Sequence, residues 1–193
     1  MKLPDKIYTE SASGGKEFDL AALHAERGVI FLSGDITTST ALSFASVMKY
    51  LQDEEKKVTI YLNSPGGEVT AGLMIYDIIQ SYPYDLKIVC TGIAASMGAI
   101  ILAGGRKDRR FILPHSKVMI HEPLISNGFG GSATTIEQKA QIILDVKQQL
   151  NEILAKHTGK SLKDIDKATA FDNFMTAEEA VRFGICDAIA TIY

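Results

Sequence analysis

Residues 58–69 read VTIYLNSPGGEV, a β-branched run that leads into a glycine turn and then into a helical pattern. The run Val58–Leu62 is typical of a buried strand, because its apolar residues are nearly continuous. Beyond the turn, Glu68–Tyr82 carries apolar side chains at helical spacing. The stretch therefore predicts a strand followed by a helix, the unit from which layered α/β cores are built.

The same unit recurs on both sides of this stretch. Four further runs are predicted as strands: residues 28–33, 86–90, 110–113 and 117–120. Four further patterns are predicted as helices: residues 40–54, 98–103, 134–156 and 176–183. Capping boxes are predicted at Thr134–Glu137 and Thr176–Glu179, with helix ends at Gly159 and Gly184. Strands alternating with helices predict an α/β fold with crossover connections.

Composition narrows the class of protein. A chain of 193 residues, 46% apolar and without a Pro-rich linker, is predicted to form a single domain over residues 1–193. Its net charge of −3 gives no basic face for nucleic acid. The longest apolar stretch, Ala99–Ala103, is far shorter than the roughly 20 residues that span a bilayer, and no signal sequence is readable, so we expect a cytoplasmic protein. Cys90 and Cys186 lack metal-ligand spacing and are predicted to be buried fillers.

Ser96 lies where a predicted strand meets a helix of small residues, within GIAASMG at residues 92–98. A serine at such a junction lies near free helical N–H groups that stabilise developing negative charge. The simpler alternative is that Ser96 only caps the helix.

His121 follows the predicted strand Lys117–Ile120 directly, and a strand end is a rigid platform for a general base. The alternative is a histidine satisfied by a local hydrogen bond, which is also how we interpret His24, His115 and His157.

The turn Asn63–Gly67 can direct a backbone N–H towards the same point as the N–H that follows Ser96. Two such donors form an oxyanion hole, although an ordinary Pro-Gly turn explains the segment equally well. An α/β-hydrolase is disfavoured because residues 94–98 read AASMG rather than G-x-S-x-G. Its chain order also requires an acid between serine and histidine, where Asp108 lies in a charged turn.

Taken together, these segments resemble the ClpP family of proteolytic subunits over about residues 18–189. The most specific stretches are residues 61–72, 92–99, 113–124 and 172–180. The resemblance implies the ClpP/crotonase-like spiral of ββα units with a protruding handle at about residues 122–157, and an N-terminal axial segment at residues 1–17.

The resemblance also implies the chemistry. It aligns Ser96 with the nucleophile, His121 with the base and Asp172 with the triad acid, and no cofactor or metal is implied. The oxyanion hole would use the backbone N–H groups of Gly67 and Met97. Substrate would lie extended between two segments by strand addition. These segments contain the following residues: Glu68, Val69, Thr70, Leu124, Ile125 and Ser126.

Assembly follows from the same resemblance. Similar proteins stack two seven-membered rings through the handle, here Asn127–Gly131 plus the helix from Thr134. An unfolding AAA+ Clp ATPase feeds them unfolded polypeptides. The implied partners are therefore copies of this chain and that ATPase, with no nucleic acid and no membrane.

The sequence departs from the family at positions in ring contacts and near the site. Phe171 replaces an Arg, Ala168 an acidic residue and Ser132 a Gln, so altered ring stacking is expected. Thr91 replaces a Met of the ATPase-docking groove, where an unpaired hydroxyl would be costly to bury. Glu122 replaces a Gln directly after the base, where its charge would affect His121 only if it pointed inward.

Two alternatives remain open. One is a regulatory or latent ring subunit of the same fold that needs an active paralogue, because residues that are present can still be misaligned. The other is a crotonase-like acyl-CoA enzyme, which shares the spiral plan but uses no serine nucleophile.

Overall fold

Strands and helices alternate along the chain, and the predicted α/β fold class is confirmed. The computed structural model describes residues 5–11, 14–124 and 130–191. The strands found there are β1 Lys6–Ser11, β2 Gly14–Asp19, β3 Val29–Ser33, β4 Val58–Ser64, β5 Leu86–Ala95, β6 Arg110–Ile112, β7 Lys117–Ile120, β8 Asn173–Met175 and β9 Ala188–Ile189. The helices found there are α1 Leu20–Glu26, α2 Thr38–Asp53, α3 Val69–Ser81, α4 Met97–Ala103, α5 Ala133–Thr158, α6 Leu162–Thr169 and α7 Ala177–Phe183.

The main sheet has seven strands, and its parallel path runs β3-β4-β5-β6-β9. Strand β5 is long because it serves two neighbours. Its first half, Ile88–Cys90, pairs with β6, and its second half, Ile93–Ala95, pairs with β7. Strand β8 extends this branch by antiparallel pairing with β7. A separate antiparallel hairpin, β1 with β2, falls mostly within the predicted axial segment.

Most boundaries agree with the sequence within a few residues, and the differences have physical causes. Strand β5 continues past the predicted end at Cys90, because the side chain of Asn63 accepts a hydrogen bond from the N–H of Ile93 and supports the strand across Gly92. The pattern did not predict α1, α6, β1, β2, β8 or β9. Four of these are strands of two to six residues, too short or too polar for a periodicity to show.

Helix α5 is the predicted long helix. It begins at Ala133 because the Ser132 side chain accepts a hydrogen bond from the N–H of Thr135 at 3.3 Å, so the capping box predicted at Thr134–Glu137 is wrong. It ends at Gly159 in the left-handed conformation, as predicted. The capping box at Thr176 is confirmed, with Gly184 ending α7.

The core lies between the main sheet and helices α2 to α5. All of α4 is buried, and α5 contributes only its C-terminal half through Leu150, Asn151 and Leu154. The predicted burial of Cys90 and Cys186 is confirmed, and burial raises the pKa of Cys90 to about 11. None of the helices in the described ranges has the length and apolarity needed to cross a bilayer.

Arg110 is a buried cation that connects three helix ends. Its guanidinium forms a two-bond pair with the Asp187 carboxylate, and the two side chains are only 6% and 12% exposed. It also donates hydrogen bonds to three backbone carbonyls near the C-terminal ends of α4, α5 and α7, those of Ala103, His157 and Gly184. Burial tends to raise the pKa of Asp187, but the hydrogen bonds from Arg110 outweigh it, so the net pKa is lowered. The carboxylate is therefore held ionised.

His157 lies next to this cluster, and its ring is half buried. Its Nε2 lies 2.8 Å from the Tyr76 hydroxyl in a hydrogen bond, so the ring is satisfied as predicted, but by a residue of α3 that is distant in the chain and not by a local one. Burial first, and then the positive charges of Lys156 and Arg110, lower the pKa of His157 to about 4.

We expect His157 to make the protein acid-sensitive. A histidine with a folded pKa of about 4 binds protons more readily when unfolded, at an ordinary pKa of 6.5, so stability falls as pH drops through that interval. The free energy of unfolding that is lost through His157 over this interval is about 1–2 kcal/mol, because water screens part of the electrostatic effect. Urea unfolding should show that the free energy of unfolding falls more between pH 7 and pH 5 for the wild type than for His157→Gln. Equal losses would contradict this assignment.

Candidate functional site

Ser96 occupies a strained turn between β5 and α4. Its φ of 53° and ψ of −121° are rare for a residue with a side chain. The backbone is held there by a hydrogen bond from the Ser96 N–H to the Met119 carbonyl at 2.9 Å. The Ser96 side chain makes no capping hydrogen bond, so the capping alternative does not explain it. Strain of this kind is stored where a side chain must be presented to a ligand.

The pairing of β7 with β8 brings His121 and Asp172 together. Ile120 pairs with Asn173 at the end of the antiparallel ladder, and the next residues outward are His121 and Asp172. Nδ1 of His121 lies 3.5 Å from a carboxylate oxygen of Asp172. The His121 side chain is 13% exposed, whereas that of Asp172 is 64% exposed.

Ser96 and His121 line one pocket of about 310 Å³ between α4, α5 and the end of β7. The rest of its lining is mostly apolar: Val69, Met97, Ile100, Ile120, Pro123, Leu124, Leu150 and Leu154, with Gly67 and Asn151. No hydrogen bond joins the Ser96 hydroxyl to the His121 ring among the described residues. The serine and the imidazole therefore share a cavity without being engaged with each other.

The turn after β4 packs directly against Ser96. A Cβ on Gly66 would lie 2.7 Å from the Cβ of Ser96, and Gly67, at φ +152°, would place one 2.1 Å from the Ile36 carbonyl oxygen. Both positions require glycine. Within the described part of the chain, the N–H groups of Gly67 and Met97 donate no backbone hydrogen bond. They are available to an oxygen bound beside Ser96.

The expected substrate segments are only partly described. Val69 and Thr70 form the first turn of α3, where N–H groups lack helical partners. The Glu68 carboxylate accepts two hydrogen bonds from Thr38, one from its N–H and one from its hydroxyl. Leu124 is 74% exposed at the pocket. Ile125 and Ser126 lie outside the described residues, as do Asn127 to Phe129 of the expected handle loop.

Two of the unusual residues have clear local roles. Ser132 caps α5, and the Thr91 hydroxyl donates to the Leu62 carbonyl at 3.3 Å. The Thr91 hydroxyl is therefore paired within the chain. Phe171, next to Asp172, is 86% exposed, and nothing described in the chain covers it.

Two side chains near the pocket, those of Asn151 and Lys147, are not among the predicted site residues. Asn151 is 6% exposed among the lining residues and accepts a hydrogen bond from the Thr169 hydroxyl at 3.3 Å. Its place between Leu150 and Leu154 on the apolar stripe of α5 was the available signal. Lys147 pairs with both Glu122 and Asp166, for which no local pattern exists.

Fold and pocket together define a class, an α/β protein with a hydrolase-type pocket at a strained strand-to-helix turn. A family model described as Clp protease matches residues 13–192. The chain belongs to the Clp protease family and is a ClpP-like peptidase, not a crotonase-like acyl-CoA enzyme. Membership implies an oligomeric ring protease that works with Clp ATPases.

Proposed function

We propose that this chain is a serine endopeptidase in which Ser96 is the nucleophile, His121 the general base and Asp172 the group that orients the base. The observation that supports this most is the strained Ser96, which opens into the same pocket as His121, with a carboxylate 3.5 Å behind the imidazole. Serine, imidazole and carboxylate in this order are the components of acyl transfer.

In the proposed reaction, Nε2 of His121 takes the proton of the Ser96 hydroxyl as Oγ attacks the peptide carbonyl. The negative oxygen is stabilised by the backbone N–H groups of Gly67 and Met97, each worth about 10²–10³ in rate. Asp172 holds the proton on Nδ1 and stabilises the imidazolium. His121 then protonates the leaving amine, and water hydrolyses the acyl-enzyme.

The pocket lining supports a preference for an apolar side chain on the acyl side of the cleaved bond. Its walls are aliphatic apart from the buried Asn151, and no described residue of the lining other than His121 is ionisable. Main-chain contacts to Gly67 and the start of α3 would add affinity without sequence selectivity. We therefore propose unfolded polypeptides and short peptides as substrates.

For assembly, we propose stacked heptameric rings with α5 as the handle and a AAA+ Clp ATPase as the partner. The N-terminal half of α5 supports this, because the apolar side chains of Ile136, Ile142 and Leu144 are exposed there. The exposed Phe171 stands where an Arg is expected and cannot supply an Arg's charged hydrogen bonds. Altered stacking of the rings stays a prediction.

A latent subunit is the second candidate, and one observation favours it. The Ser96 hydroxyl has no hydrogen bond to His121 within the described residues, and Asp172 is largely exposed at a distance too long for a strong hydrogen bond. Contacts from a neighbouring subunit would then be required to align the three side chains.

A fluorophosphonate probe tests the proposal and separates the two candidates. We expect the purified chain alone to be labelled at Ser96, because the probe reacts only with a serine whose base is in place. Labelling should be read by intact mass, with native mass spectrometry of the same sample giving the assembly. Ser81→Ala, which removes an exposed serine at the end of α3, is the control: it keeps Ser96 and should be labelled like the wild type. Labelling that requires an added paralogue would identify the latent subunit instead.

A further inference from the structure

Lys147 joins two segments that flank the candidate site. From α5, its Nζ lies 3.1 Å from a carboxylate oxygen of Glu122 and 2.9 Å from one of Asp166. Its side chain is 25% exposed, less than those of Glu122 at 43% and Asp166 at 58%. The hydrogen bonds that the Lys147 ammonium donates to Asp166 and then to Glu122 raise the pKa of Lys147 above its ordinary value. The cation is therefore permanent at neutral pH.

The two acids belong to the segments that carry His121 and Asp172. Glu122 directly follows His121, and its N–H donates to the Thr169 carbonyl at 2.8 Å. Asp166 lies in α6, the helix that ends at Thr169, three residues before Asp172. Besides this backbone hydrogen bond, the Lys147 side chain connects the segment after His121 to the helix before Asp172.

Removing the cation would leave two like charges facing each other. Both carboxylate oxygens lie within 3.1 Å of one nitrogen, so without the lysine two like charges would remain near each other and would repel. Repulsion would push Glu122 and α6 apart and so lengthen the distance from His121 to Asp172. That distance is already 3.5 Å, so a small further displacement matters.

We propose that Lys147 is a positioning residue of the reaction, which holds the His121 and Asp172 segments in register from helix α5. Lys147 does not line the pocket and touches no substrate. Its role rests on the proposed serine peptidase function. With a neutral residue at position 122, only one acid would remain beside Lys147, and the alignment of His121 with Asp172 would depend less on the lysine.

A double-mutant cycle tests this role. Lys147→Met, Glu122→Gln and the double variant are compared in hydrolysis of a short fluorogenic peptide with an apolar residue before the cleaved bond. Lys147→Arg keeps the charge, and Lys156→Met is the matched control, an exposed lysine on the same helix with no ion pair among the described residues. Each variant is first checked for an unchanged thermal melting curve and assembly size.

We expect kcat of Lys147→Met to fall about tenfold, with KM within about twofold, because the loss is in alignment and not in binding. The double variant should recover most of the rate, since the repulsion is gone. Added salt should partly rescue Lys147→Met by screening the two acids. Lys147→Arg and Lys156→Met should stay near wild type.

A Lys147→Met variant as fast as wild type, or a double variant as slow as Lys147→Met, would overturn the positioning role. Either result, obtained while the wild type hydrolyses the peptide and loses activity in Ser96→Ala, leaves the proposed function intact. A wild type whose turnover is unaffected by Ser96→Ala would overturn both.

Discussion

Ser96→Ala is expected to abolish peptide hydrolysis, with a loss in kcat of about 10⁴-fold or more. No other hydroxyl lines the pocket with His121, so no described side chain can replace the nucleophile. Alanine tolerates the strained backbone about as well as serine, so stability should change by less than about 1 kcal/mol. Steady-state hydrolysis of a short peptide, beside urea unfolding of the same samples, separates chemistry from folding.

The control for this variant is Ser81→Ala. Ser81 is exposed, and its hydroxyl donates only to the Ile78 carbonyl within α3. Its removal should leave the rate unchanged. A Ser96→Ala protein that retains a tenth of the wild-type rate would place the nucleophile elsewhere.

Arg110→Met is expected to have the largest effect on stability. The substitution leaves the Asp187 carboxylate, which is 12% exposed, without its cation partner. It also removes the hydrogen-bond donor of the three backbone carbonyls at the helix ends. Breaking a buried pair by removing one partner costs about 3–5 kcal/mol, because the remaining charge stays buried without compensation. Urea unfolding measures this loss, and urea leaves the ionic strength unchanged.

Two comparisons make the Arg110 experiment specific. The neighbouring Arg109 pairs with Asp85 at the surface, where both side chains are about half exposed, and Arg109→Met should change stability little. Arg110→Met combined with Asp187→Leu should recover part of the loss, because no unpaired charge is left. Equal losses for Arg109→Met and Arg110→Met would show that burial of the pair contributes nothing.

Much of the candidate site could be read from local sequence. His121 directly follows a predicted strand, which is recognisable because its apolar run stops there, whereas Ser96 lies beyond the predicted strand end at Cys90, in the small-residue stretch that leads into α4. The Pro-Gly-Gly turn after β4 was also recognisable in the sequence. The structure explains its glycines, because only a residue without Cβ fits beside Ser96 and Ile36. Asp172 depended on the family resemblance, because β8 has three residues and no pattern that predicts a strand.

The strands and helices from β3 to α5, the turn at Ser96 and the end of α5 at Gly159 were determined by the sequence itself, because periodicity, capping and glycine conformations act over a few residues. The approach of Asp172 to His121 was decided only by the tertiary structure, through the pairing of β7 with β8. The same holds for Lys147 between its two acids and for Arg110 among three helix ends. Such contacts join residues far apart in the chain, and their energy depends on burial and distance, which no local pattern records.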